Sequence, residues 1–148
     1  MTRATQQAIV AEARRWLGTP YRHQASVMGV GTDCLGLVRG VWRAVVGPEP
    51  EKPPPYTPDW AEALGRDDLL DAARRWLEEI PAGKACEGDV LLFRMAIGAP
   101  AKHAAIVSGP SKIIHAYWVR SVCETHLTAW WARRIAAAFS FPGLKSDG

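Results

Sequence analysis

Cysteine is scarce in this chain: three in 148 residues, Cys34, Cys86 and Cys123, none of them in a C-x-x-C pair. Three thiols cannot all pair within one chain, so a disulfide scaffold is excluded and at least one thiol is free. The zinc spacings of Cys and His are missing as well, and no metal or cofactor is called for. The N-terminus carries no apolar h-region of a signal peptide, and no apolar run is long enough to span a bilayer. The expectation is synthesis in the cytoplasm with no membrane insertion. There is no internal repeat and no low-complexity tract. The formal net charge is +3, and Lys and Arg are scattered without a basic run, so no nucleic-acid surface is expected. What remains is the composition of a folded protein, 48% hydrophobic and 22% charged, at a length that suits one domain over residues 1–148.

The first half has helical periodicity. Ile9, Val10, Ala13, Trp16 and Leu17 share one face of a helix from Thr5 to Leu17, stopped by Gly18. A loop with Gly29 and Gly31 runs to Thr32. A second helix spans Cys34 to Val46, with Leu37, Val38, Val41, Trp42 and Val45 inward, and Gly47-Pro48 ends it. The proline-rich stretch from Pro48 to Pro58 reads as an extended surface connection. A third helix is expected from Asp67 to Glu79. The second half then changes period. Strands are expected at 89–93, 103–108, 112–118, 119–127 and 134–141, with a short helical turn at 128–132. Helices followed by an antiparallel sheet make an α+β fold.

Cys34 begins the second helix, where unpaired N–H groups and the helix dipole favour a thiolate, the nucleophilic form. His103 and His115 lie in consecutive strands. A thiol nucleophile needs a base in hydrogen-bond reach, and the base needs an orienting partner. The two histidines can fill those roles only if they share a sheet face. A three-residue connection, Ser108-Gly109-Pro110, sets His103 directly opposite His115, whereas a two-residue turn separates their faces. The helix bearing Cys34 is then expected to pack on that same face. Taken singly, each of the three reads as an ordinary packed side chain; their joint arrangement points to a papain-type cysteine hydrolase. Cys86 and Cys123 read as inert packing residues, His126 as surface, and His23 as a loop residue. Trp118, Trp130 and Trp131 stand outside helical core spacing and are candidates for a partner-binding or substrate-flanking patch.

Five sequence blocks resemble the NlpC/P60 family of cell-wall cysteine peptidases. They are Leu17-Gly18-Thr19-Pro20-Tyr21, Asp33-Cys34-Leu35-Gly36, Gly88-Asp89-Val90, His103-Ala104-Ala105-Ile106 and Ile114-His115-Ala116, in the family's order. The resemblance implies a papain-like fold, with Cys34 as nucleophile, His103 as base and His115 as orienting residue. It also implies that the Tyr21 hydroxyl stands beside the nucleophile and that Asp33 helps hold the substrate's amino group. The implied substrates are peptidoglycan stem peptides, cut between D-γ-glutamate and a diamino acid. One departure is Leu35, where the family has a serine whose hydroxyl often binds substrate. The stretch from Gly18 to Trp42 looks most like the phage and gene-transfer-agent branch. That branch implies a virion-borne, tail-associated peptidase reaching the periplasmic cell wall, with a tail hub or baseplate protein as partner. A structural tail component with little activity is the alternative; an acyltransferase would need an apolar acceptor groove, for which the sequence shows no sign.

Overall fold

The computed structural model describes residues 5–50, 67–117 and 120–144. Helix α1, Gln6–Arg15, starts where the Thr5 side chain accepts from the Ala8 N–H and ends ahead of Gly18 at φ 85°. A two-stranded hairpin follows in what reads as plain loop, β1 (Ser26–Val27) and β2 (Gly31–Thr32). Helix α2 runs Cys34–Val45 and α3 Asp68–Trp76. The sheet is built from β3 (Glu78–Ile80), β4 (Val90–Arg94), β5 (Ala101–Gly109), β6 (Lys112–Ala116), β7 (Val122–His126) and β8 (Ile135–Ser140), with the short helix α4 (Ala129–Ala132) before the last strand. Its order is β3-β8-β4-β5-β6-β7, antiparallel throughout.

Helix α3 is shorter than its periodicity suggests. Glu78 and Glu79, which continue the helical pattern, instead form an edge strand on β8. The part of the proline-rich stretch from Glu51 to Pro58, and Trp118 and Val119, lie outside the described residues.

Alternation along the strands divides the core in two. Val90, Leu92, Ala104, Ile106 and Ile114 face α1, α2 and α3, packing with Ile9, Ala13, Leu37, Val41 and Leu69. Leu91, Phe93, Ala105, Val107 and Ile113 face the other way, against Ile80, Leu127, Trp131 and Ile135. His103 pairs with Phe93 across the β4–β5 ladder, and His115 stands two residues from Ile113, so both histidines belong to this second face. The expectation that the cysteine helix packs on the histidine face is therefore wrong. Helix α2 covers the opposite face, because its Leu37 and Val41 stripe seeks the larger helix-side core.

The hairpin between the histidines also differs from expectation. Gly109 pairs with Lys112 across a two-residue turn, Pro110-Ser111, with Ser111 at φ 55°. That turn alone would put the histidines on opposite faces. A β-bulge between Val107 and Gly109 inserts one extra residue, and Ile106 then pairs with Ile114. The bulge restores the shared face. His115 consequently sits diagonal to His103 rather than directly opposite it.

Candidate active site

Asp33 creates the start of α2. One carboxylate oxygen accepts from the Gly36 N–H at 2.7 Å as an N-cap, and the other accepts from the Gln24 N–H at 2.8 Å. The same buried side chain thus fixes both the helix start and the preceding loop. Cys34 is the first residue of the helix. Its thiol makes a long contact, 4.0 Å, to the Lys102 carbonyl at the beginning of β5.

The loop that brings Tyr21 to this point is stitched by backbone bonds: Gly18 N–H to Val122 O at 2.9 Å, Thr32 N–H to Pro20 O at 3.0 Å and Arg22 N–H to Thr32 O at 2.9 Å. Glycine at position 18 supplies the left-handed φ that this turn requires. The result is a cavity of about 280 Å³ at the strand ends, lined by Tyr21, Cys34, Lys102, His103 and Tyr117 among others. Thiol and imidazole meet there from opposite sides of the sheet. Asp33 does not line it.

The histidines are 6% and 3% exposed. His103 Nε2 and His115 Nδ1 are 2.8 Å apart, and His115 Nε2 lies 3.1 Å from the Thr125 hydroxyl. With Nε2 engaged, Nδ1 is the His103 nitrogen left to serve the thiol. Trp131 roofs the pair, its ring centroid 5.1 Å from His103 and 5.3 Å from His115, with Phe93 at 5.0 Å beneath it. Trp131 is therefore part of the histidine environment. Trp130, 41% exposed, stacks under the Arg134 guanidinium at 3.6 Å.

Electrostatics reverse one expectation. Burial, and then the Asp33 charge, push the Cys34 thiol up to about 12, outweighing the N–H groups of Ala104, Leu35 and Cys34 that pull it down. A helix start alone lowers a thiol; this one is desolvated and sits next to a carboxylate. Burial and then the neighbouring His115 hold His103 well below the usual imidazole value. Burial holds His115 down to about 4. Thiol and neutral imidazole are thus the resting forms near neutral pH. Tyr21 is raised to about 12 by burial, then by Cys34 and Asp33, so its hydroxyl stays protonated.

A stability prediction follows from the histidines. Between the unfolded value of about 6.5 and the folded value, the unfolded chain binds more protons than the native one. Stability therefore falls as pH drops through that window, which for His115 runs from 6.5 to about 4, by up to ~1.4 kcal/mol per pH unit for each histidine. Urea unfolding of wild type and His115→Asn from pH 7 to 4 isolates the His115 share: the variant's slope should be shallower. Identical slopes would contradict the burial argument.

Leu35, where the resemblance calls for a substrate-binding serine, faces away from the thiol cavity. It lines a separate apolar cleft of about 100 Å³ with Val38, Trp42, Leu69 and Trp76, so this position is given to packing between α2 and α3. Cys86 is exposed, not packed, and accepts from Gln6 Nε2 at 2.7 Å. Cys123 is half-buried and His126 exposed. His23 approaches Asp33 at 4.0 Å. Lys102, Tyr117 and Thr125 were not singled out by sequence; the strand register puts Tyr117 beside His103 and Thr125 beside His115.

A sequence pattern shared by the NlpC/P60 family matches residues 18–139. The chain belongs to the NlpC/P60 family. Gamma-DL-glutamyl hydrolase of Bacillus subtilis (strain 168) is 26% identical over 92% of this chain, which spans only 29% of that relative's length. Among solved structures, the NlpC/p60 domain of the peptidoglycan hydrolase SagA is 28% identical. It superposes with a TM-score of 0.67 over 93% of this chain and 100% of its own. An NlpC/P60 family protein from Bacillus cereus ATCC 10987 reaches a TM-score of 0.71 at 19% identity, over 95% of this chain and 41% of its own, and bears on fold alone. The fold is the mixed helix and antiparallel-sheet, papain-like architecture of this family. The NlpC/P60 blocks also acquire structural reasons. Gly88, at φ 88°, lies where a Cβ would press on the Gln6 backbone, and Asp89 accepts from the Cys86 N–H and the Ser140 hydroxyl.

Proposed function

We propose that this NlpC/P60 protein is a cysteine peptidase of peptidoglycan stem peptides, cutting the bond between D-γ-glutamate and a diamino acid. The observation that carries the reading is one cavity shared by a helix-start thiol and a histidine whose far nitrogen is bonded to a second histidine. Its similarity to a glutamyl hydrolase and to a peptidoglycan hydrolase domain supports the substrate class.

In this mechanism His103 Nδ1 takes the Cys34 proton as the sulfur attacks the peptide carbonyl, and the His103–His115 bond holds the imidazolium that forms. The same proton passes to the leaving amine. Water then attacks the thioester, with His103 again as base, and releases the carboxylic acid. Because the thiol rests protonated, His103 acts as a general base at the moment of attack rather than as half of a standing ion pair. The Cys34 N–H is the oxyanion donor, with the Tyr21 hydroxyl beside the sulfur. Asp33 already accepts one backbone N–H on each oxygen. The test is incubation with purified Gram-negative sacculi and chromatography of the released muropeptides. Products ending in D-glutamate, with a new free amine on the diamino acid, support the reading; intact stem peptides overturn it.

For the site of action we propose a phage-like tail, with a hub or baseplate protein as partner. The support is the likeness of the Gly18 to Trp42 segment to the phage and gene-transfer-agent branch. Mass spectrometry of purified particles should find this chain bound there. Its absence from particles, with ample free protein in the lysate, would point instead to a lysis enzyme released with a holin.

A further inference from the structure

Three polar side chains cross one sheet face on a diagonal: His103 on β5, His115 on β6 and Thr125 on β7. His115 pairs with Cys123 and Ile113 with Thr125, so Thr125 stands one pleat away from His115 on the same face, as His103 does on the other side. The links are 2.8 Å between the imidazoles and 3.1 Å to the hydroxyl. We propose that Thr125 is a positioning residue. By accepting from His115 Nε2–H it keeps the His115 Nδ1 lone pair aimed at His103 Nε2–H, and so keeps His103 Nδ1 bare for the thiol proton. This rests on the reading of His103 as the base.

A neutral imidazole carries one N–H, so the chain has two self-consistent arrangements. In the outward one, His103 Nε2–H donates to His115 Nδ1 and His115 Nε2–H donates to Thr125 Oγ1. In the inward one, the Thr125 hydroxyl donates to His115, His115 donates to His103, and Nδ1 of His103 is already protonated. Only the outward arrangement leaves a base beside Cys34. It is also the only one compatible with a protonated His103, whose Nε2–H must find an acceptor at His115. Its last N–H must end on something, and Thr125 is the group at hand. Orphaned buried N–H groups are rarer and costlier than under-used acceptors, so deleting the hydroxyl favours the inward arrangement.

Thr125→Val keeps the shape and removes the hydroxyl; Thr125→Ser keeps the hydroxyl and removes a methyl. Two readouts are needed, kcat on stem peptide and the tautomer of His115 from imidazole 15N shifts, with urea unfolding to confirm that each variant folds. Thr125→Val should lose roughly tenfold to a hundredfold in kcat, the range for a buried polar group left without its partner. His115 should be protonated at Nε2 in wild type and Thr125→Ser and should move toward Nδ1 in Thr125→Val. Wild-type kcat and an unchanged tautomer in Thr125→Val would overturn the proposal. So would a loss in Thr125→Ser as large as in Thr125→Val, which would make the methyl the working part. The tautomer measurement needs no substrate. A shift in Thr125→Val alongside an inactive wild type would thus uphold the hydrogen-bond chain and count against the peptidase reading instead.

Discussion

Replacing Cys34 by alanine is expected to cut muropeptide release from sacculi by at least ~10³-fold, because nucleophile and base work as one unit and nothing else can form the thioester. That loss corresponds to about 4 kcal/mol of transition-state stabilisation. No other thiol is in position to substitute. Cys86 is exposed beside Gln6 and Asp89, and Cys123 lies on β7 with its sulfur 3.9 Å from the His115 carbonyl. Cys86→Ala and Cys123→Ala should therefore stay near wild type, provided they fold. The measurement is chromatographic release per unit time at equal protein. Equal release from Cys34→Ala and wild type would sink the enzyme reading and leave the structural tail component as its successor.

Gly40→Ala should be strongly damaging to stability. In an open helix interior, glycine to alanine is worth up to about 1 kcal/mol in the stabilising direction. Here the new methyl would overlap ring carbons of Trp16, where α1 crosses α2. Trp16 is buried, and its Nε1–H donates to Glu12 at 3.2 Å, so the ring cannot swing away without breaking that bond and reopening the core. Overpacking wins over propensity, and the net loss should be about 3 kcal/mol, a hundredfold in the folding equilibrium. Urea midpoints decide it. Gly83→Ala is the control: a Cβ there meets nothing, and its change should stay within about 0.5 kcal/mol. A Gly40→Ala midpoint as close to wild type as the control's would show that the helices separate more easily than the packing implies.

The legible parts of this molecule are those written in local chemistry. The Ile9–Ala13–Trp16 and Leu37–Val41 stripes have helical spacing, and Val90 to Phe93 is a plain buried strand. Cys34, His103 and His115 could be singled out because a helix-start thiol and paired strand histidines are unusual together. What local chemistry hides depends on the partner across the gap. Glu78 and Glu79 look helical because a three-residue edge strand is defined by β8, not by its own residues. The face chosen by α2 depends on which side of the sheet has the larger apolar surface. The thiol's pKa is governed by desolvation and by Asp33 in the folded site, which override the dipole that sequence position announces.

The bulge at Ser108 makes length variation in this hairpin a matter of odd and even. One residue gained or lost between His103 and His115 turns one imidazole toward the helices, unless a second bulge takes up the change; two leave both on the same side but slide them a full pleat apart. Loops elsewhere in the fold can drift in length by any amount that their ends tolerate. This one behaves like a ratchet with two-residue teeth, and grafting the histidine pair onto another sheet would require carrying the irregular residue with it.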